Sequence, residues 1–251
     1  MNTVEEVRNF LDETLLSNPI AVSLDTKDIS YNGLQVRANV SVRSIMFAVS
    51  ISEKIIQEGV QNAVDMIVCH HGMFWKGLKP TSVFLQRGLS AMYESRISLY
   101  ASHLPLDYHR LYGNNVGIAE KLGFEYHDED FCEVGVVGRY KTPMSSDNFL
   151  EKVYEVFPNT FDSYNSETLI QRVGICSGSG GYPALYEAID KGLDAIIVGD
   201  TFLFAPTAQD ANLSVAACGH HQTEVFGVLS LSCAIRKQFP EIDIMLSGDL
   251  S

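Results

Sequence analysis

Five of the chain's seven histidines stand directly after short apolar runs, where metal ligands are commonly built. Asp65-Met66-Ile67-Val68-Cys69 leads into His70-His71-Gly72, and Val215-Ala216-Ala217-Cys218-Gly219 leads into His220-His221. Between them, Ser98-Leu99-Tyr100-Ala101-Ser102 ends in His103 and soon reaches Asp107. Such runs are strand candidates, and open α/β sheets place their sites at strand ends. Imidazole combined with carboxylate suits divalent transition metals, so the pattern predicts a metal centre.

The spacing adds chemistry. His220 and Glu224 are four residues apart across a strand-to-helix junction. With a helix starting near Gln222, Glu224 falls in its first turn, where the dipole favours a carboxylate. His103 and Asp107 repeat that spacing around Pro105, which holds the connection extended. His70 and His71 would point to opposite faces of a continuing strand, but Gly72 offers the freedom for a turn, and adjacent histidines can then bind two different ions. Two divalent ions beside Asp107 and Glu224 leave a local positive excess that attracts phosphate. Such ions acidify bound water and clamp attacking and leaving oxygens, so hydrolysis is the natural reaction class. His109 and His127 lack this setting and are expected to be solvated.

Other candidates carry less. Cys69 and Cys218 could ligate metal, but buried strand residues are the simpler reading. Ser177-Gly178-Ser179-Gly180-Gly181 could cradle a phosphate; a tight turn bringing a helix close to the sheet is the preferred reading. Phe74-Trp75 is either a lid or an oligomer contact. No serine stands in a nucleophile-elbow context.

The elements that must position these residues alternate. A Thr3/Glu6 capping box opens a helix through about Leu16. Strands are predicted near 44–50, 65–69 and up to 102, separated by helices near 52–63 and 82–94, with a further helix near 115–122. After a charged stretch at 125–130, strands near 134–140, 171–176, 195–198, 214–218 and 242–246 alternate with helices near 146–157, 182–191, 201–212 and 223–238. This is the signature of mixed, largely parallel α/β sheets. A soft boundary divides domains 1–128 and 129–251, and the chain can return to the first domain near its C-terminus. The length of 251 residues suits two small domains, and 46% hydrophobic with 20% charged residues describes an ordinary globular chain. A net charge of −13 argues against nucleic acid held on a broad basic surface. The absence of a signal-peptide pattern or an apolar stretch of membrane-spanning length, with an odd number of cysteines and no CxxC, predicts a cytoplasmic protein.

Together these stretches resemble the Nif-three-like proteins, often labelled GTP cyclohydrolase I type 2 homologues. The matching residues are Asn32-Gly33-Leu34-Gln35-Val36, His70-His71-Gly72 with Phe74-Trp75-Lys76-Gly77, His103-Leu104-Pro105-Leu106-Asp107 with Gly113-Asn114-Asn115, Cys176–Gly181, and Gly219-His220-His221-Gln222-Thr223-Glu224. The resemblance implies two similar α/β domains around a central metal-binding cleft, and a ring-shaped homohexamer. It implies two divalent ions (Zn, Fe, Mn, Co or Ni) held by His70, His71, Asp107, His220 and Glu224, with Glu224 bridging. His103 would be a further ligand or a catalytic proton carrier, and His221 would stand behind the ligands. One departure is that Thr201–Thr207 has no histidine where members often carry one. Two functions follow: a metal-dependent hydrolase of a nucleotide or other phosphorylated small molecule, or a non-catalytic metal-binding regulator or scaffold.

Overall fold

The computed structural model describes residues 2–159, 162–200 and 205–250. In chain order the elements are β1 (Asn2–Thr3), α1 (Val4–Leu15), α2 (Pro19–Lys27), β2 (Gly33–Val36), β3 (Ser41–Val42), β4 (Ser44–Ser50), α3 (Glu53–Gln61), β5 (Met66–His71), α4 (Val83–Ser95), β6 (Ser98–Ala101), α5 (Leu104–Tyr108) and α6 (Asn114–Leu122). They continue as β7 (Tyr126–Phe131), β8 (Gly135–Met144), α7 (Ser146–Val156), β9 (Asp162–Tyr164), β10 (Ile170–Cys176), α8 (Gly181–Asp190), β11 (Ala195–Val198), α9 (Ala205–Asp210), β12 (Ser214–Ala217), α10 (His220–Thr223), α11 (Val225–Gln238) and β13 (Asp243–Leu246). The chain forms two compact units, one of Met1–Leu106 with Gly227–Ser251 and one of Asp107–Phe226.

The first unit is built on a sheet of order β13-β4-β5-β6-β2, parallel except for β2. The interior strands β5 and β6 are almost wholly buried, as expected for parallel strands covered on both faces. Met46, Ile56, Ile67 and Leu99 meet in its core, and each such side chain contributes about 1.5–3 kcal/mol on burial. The capping box opens α1 as the sequence predicts: the Thr3 N–H donates to Glu6 Oε2 at 2.7 Å, and the Glu6 N–H donates to Thr3 Oγ1 at 3.2 Å. Helix α2 was not expected. Asn18 caps it by accepting from the Ala21 N–H at 2.8 Å, and Pro19 fills its first position.

The second unit carries a sheet of order β7-β8-β10-β11-β12-β9. Its β10, β11 and β12 are parallel, and β7, β8 and β9 are antiparallel. Phe149, Val173, Ile175 and Ile197 are fully buried in its core. The charged 125–130 stretch, to which the sequence assigns no element, supplies most of β7. Its charges suit a strand at the sheet margin, where unpaired backbone is best kept polar. The helix expected over 201–212 is α9, beginning at Ala205; positions 201–204 lie outside the described residues. The helix expected over 223–238 is split into α10 and α11, with Glu224 at the break. Among the described residues, no helix is long and apolar enough to cross a membrane.

Candidate metal centre

In the first unit, β5 and β6 run side by side with Cys69 opposite Ala101. Their paired ends therefore deliver His70, His71 and His103 to one place. The ring centroids of His70 and His71 are 4.5 Å apart, and His103 stands 5.1 and 5.3 Å from them. One candidate ligand atom from each of the three lies within 4.8 Å of the others. The adjacent pair stays in strand geometry: His71 still pairs with Ser50 of β4, yet both rings turn to the same side. Gly72 is not required for a left-handed turn, contrary to expectation, since it is not among the residues with positive φ. Its requirement is steric, because a Cβ would overlap the Gln35 carboxamide and the Ala101 Cβ. Gln35 Oε1 in turn accepts from the Met73 N–H at 2.7 Å and the Phe74 N–H at 3.3 Å, fixing the loop behind the histidines.

Each imidazole is held through Nδ1. His70 Nδ1 bonds the Ser102 carbonyl at 2.8 Å, His71 Nδ1 meets Ser50 Oγ at 2.8 Å, and His103 Nδ1 meets Asp28 Oδ1 at 2.7 Å. A carbonyl or carboxylate can only accept, so Nδ1 of His70 and of His103 carries the proton. In the neutral ring Nε2 then holds the lone pair, which is the arrangement of a metal-ligating histidine. Asp28 is buried and also accepts from the Ser30 and Leu104 N–H groups at 2.9 and 3.0 Å, and from Asn32 Nδ2 at 3.1 Å. Burial alone would raise its pKa, but the hydrogen bond and charge of His103, with those donors, hold its carboxyl below the usual range. Asn32 Oδ1 accepts from the His103 N–H at 2.6 Å. Trp75 stands 5.2 Å from the His103 ring and 5.8 Å from that of His71, its indole N–H spent on the Gly72 carbonyl at 2.9 Å.

In the second unit, Asp107, His220 and Glu224 are brought together around one dipeptide. Asp107 is buried, and its Oδ1 accepts from Ser177 Oγ at 2.7 Å and from Asn114 Nδ2 at 2.8 Å. Gly178, at φ +63°, lies against the other two: a Cβ there would overlap Glu224 Oε1 and come within 3.3 Å of His220 Nε2. The Gly178 N–H donates to Thr223 Oγ1 at 3.0 Å, which ties the loop to α10. Glycine at 178 therefore serves a close approach of the loop to His220 and Glu224. Carboxylate oxygens of Asp107 and Glu224 lie within 4.8 Å of each other. Two buried carboxylates that close repel unless positive charge stands beside them. His220 supplies some of it, with Nε2 3.1 Å from Glu224 Oε1 and Nδ1 2.9 Å from Asp200 Oδ2. The hydrogen bond to Glu224, with its charge and that of Asp200, outweighs burial and raises the His220 pKa to about 9.

His221 sits beside His220 in α10, half-buried. His109 is not simply solvated: half-buried, its Nδ1 accepts from the Leu111 and Tyr112 N–H groups at 3.1 and 3.0 Å. It caps a turn. The side chain of His127 lies outside the described residues. Cys69 and Cys218 are buried strand-end thiols, with Cys69 Sγ directed at the His71 and Tyr100 carbonyls. The polar residues that hold the candidate ligands, namely Asp28, Asn32, Gln35, Asn114, Ser177, Asp200 and Thr223, were given no such role from the sequence.

An α/β chain carrying a three-imidazole cluster in one unit and a histidine with paired carboxylates in the other belongs to the class of candidate metal-binding proteins. Residues 3–249 match the Duf34/NIF3 (NGG1p interacting factor 3) family, and the chain belongs to it. It is 34% identical over 239 residues to a GTP cyclohydrolase 1 type 2 homolog of Archaeoglobus fulgidus, covering 95% of this chain and 94% of that one. A protein of the same description from Pseudomonas aeruginosa is 33% identical over 244 residues, covering 94% and 92%. A solved structure of protein ybgI, described as of unknown function, superposes with a TM-score of 0.86 at 28% identity, covering 98% of this chain and 97% of that one.

Proposed function

We propose that the protein binds two divalent metal ions and acts as a metal-dependent hydrolase on a nucleotide or other phosphorylated small molecule. The observation that carries this reading is the convergence of three imidazoles, each anchored through Nδ1 by a separate neighbour. His70 and His71 of the first unit, and Asp107, His220 and Glu224 of the second, are the proposed ligands. The donor set, nitrogen with carboxylate oxygen, fits Zn, Fe, Mn, Co or Ni. Bound there, such ions would supply Lewis acidity and acidify water.

The chain's own residues do the rest. Asp28 keeps the proton of His103 on Nδ1, so Nε2 is the atom at which His103 would take up and return a proton. Ser177 and Asn114 orient Asp107, and Asp200 orients His220. The curated relatives' name, GTP cyclohydrolase 1 type 2 homolog, makes ring opening of a purine nucleotide one version of the reaction; phosphoester hydrolysis is the other. The reading includes a homohexamer, supported by the family resemblance.

The test is turnover. Protein purified without chelator would be assayed for metal content and screened against nucleotides and phosphoesters beside Glu224→Ala and His70→Ala. Activity that depends on metal and falls in both variants supports the hydrolase. Two ions per chain without any turnover would favour the regulator or scaffold, and clearly fewer than two ions would overturn the dinuclear reading.

A further inference from the structure

Phe74 and Trp75 of the first unit do more than stand behind the histidines. With Tyr31, Leu34, Leu78 and Leu89 they wall a cleft of about 590 Å³, inside the range of about 300–1,000 Å³ that small-molecule sites occupy. Three of the lining residues are aromatic and none is charged. Its two carboxamides are spent on the protein. Asn32 donates to Asp25 and Asp28 and accepts from the His103 N–H, while Gln35 accepts from the Met73 and Phe74 N–H groups and donates to the Tyr31 carbonyl. Trp75, whose N–H is taken by the Gly72 carbonyl, offers the cleft only its ring. The walls are knit by backbone pairing: the Tyr31 N–H donates to the Phe74 carbonyl at 3.0 Å, Ser30 bridges Trp75, and the Lys76 N–H donates to the Ile29 carbonyl at 2.6 Å. The cleft is therefore held in shape without an occupant. It is also continuous with the imidazole cluster, because Trp75 packs on the rings of His71 and His103 and Asn32 holds the backbone of His103.

We propose that this cleft holds the base of a purine nucleoside or nucleotide and so selects the substrate of the neighbouring imidazole cluster. The inference rests on the proposed action on a nucleotide and names the part of the substrate that the first unit would grip. Phosphate has no place inside, since an anion there would lose its hydration against walls that carry no positive charge. An uncharged planar ring loses little and gains stacking on Tyr31, Phe74 or Trp75. Of the bases, the two-ring purines offer the larger face to such walls. The charged end of the molecule then lies outside the cleft, on the side where the proposed metal ligands stand.

Trp75 is the chain's single tryptophan, so its fluorescence reports the cleft directly. Full-length protein as purified would be titrated with guanosine and with adenosine, excited where the bases do not absorb, beside ribose and inorganic phosphate. The expected result is a saturable change in emission with the nucleosides and none with ribose or phosphate. Leu78 and Tyr31 are 41% and 53% exposed, so Leu78→Asp and Tyr31→Ala can be made without disturbing the core. Each should weaken nucleoside binding by about tenfold or more while circular dichroism stays native, and such a loss in either variant supports the proposal. No saturable change up to the solubility limit, an equal change with ribose or phosphate, or unaltered affinity in both variants would overturn it. Binding is read here without turnover. A protein that binds nucleosides but hydrolyses nothing would sink the hydrolase alone, and a metal-dependent hydrolase with no nucleoside response would sink the cleft alone.

Discussion

His103 Nδ1 and Asp28 Oδ1 are 2.7 Å apart, joining residues seventy-five positions distant in the chain. The same carboxylate receives the backbone N–H of Leu104, so it holds both the ring of His103 and the chain leaving it. Replacing Asp28 by Asn keeps the size but substitutes an amide for a charged acceptor. With His103 as a ligand or proton carrier, Asp28→Asn should lower metal affinity or turnover by about 10–100-fold, the usual cost of losing such a supporting partner. Metal titration and steady-state rates of the variant check it.

Asp28 also predicts an acid-sensitive contribution to stability. Its folded pKa is lowered, so its stabilisation is present above the ordinary carboxylate value of about 4 and lost as pH falls through the folded value. Urea unfolding at pH 7 should show wild type more stable than Asp28→Asn, with the gap shrinking below about pH 4. A gap that persists at low pH would mean the charge of Asp28 is not its source.

Metal uptake should release a proton from His220. Its pKa is raised to about 9 by Glu224 and Asp200, so near neutral pH the ring is a cation that an incoming ion must deprotonate. Affinity should therefore rise with pH up to about 9 and level off beyond it. Calorimetry at pH 7 in two buffers of different ionisation enthalpy should give different heats. Equal heats would remove His220 from the ligand set.

Gly178→Ala should damage the second unit's ligands more than its fold. The position has φ +63°, and a Cβ would press on Glu224 Oε1 and His220 Nε2. The backbone strain costs on the order of 1–2 kcal/mol. Metal content should fall in the variant while its circular dichroism stays native.

Ser177→Ala leaves Asp107 with Asn114 as a donor but removes the hydroxyl at 2.7 Å. A loss of about 1–3 kcal/mol is expected for a buried acceptor deprived of one partner. Equilibrium unfolding measures it.

What the sequence makes legible here follows from how local each signal is. Histidines after apolar runs can be read because strand, run and ligand are contiguous, and the sheet register of β5 and β6 then brings His70, His71 and His103 together. Helix α2 carries the cap signature Asn18-Pro19, but its burial is limited to Ala21 and Leu24, so no apolar stripe announces it. Gly219 at φ +90° lets α10 begin at His220, earlier than periodicity suggests, and Glu224 at φ −109° ends it before α11. Asp28, Ser177 and Thr223 are ordinary polar residues whose importance arises only from distant partners. No spacing rule finds a carboxylate whose partner lies in another loop.

The path of the chain bears on how this protein is made. The parallel strand β13 pairs Asp243 with Ser44 and Leu246 with Phe47 in the first unit's sheet, after the chain has traversed the whole of the second unit. During synthesis, β4 must wait with that flank uncovered while about 200 residues emerge, and at ordinary elongation rates the wait is on the order of ten seconds or more. Its neighbour is made only after the whole of the second unit. Loss of β13 would therefore leave the longer, buried β4 as the bare parallel edge of the first unit's sheet, the condition in which nascent chains find each other rather than themselves.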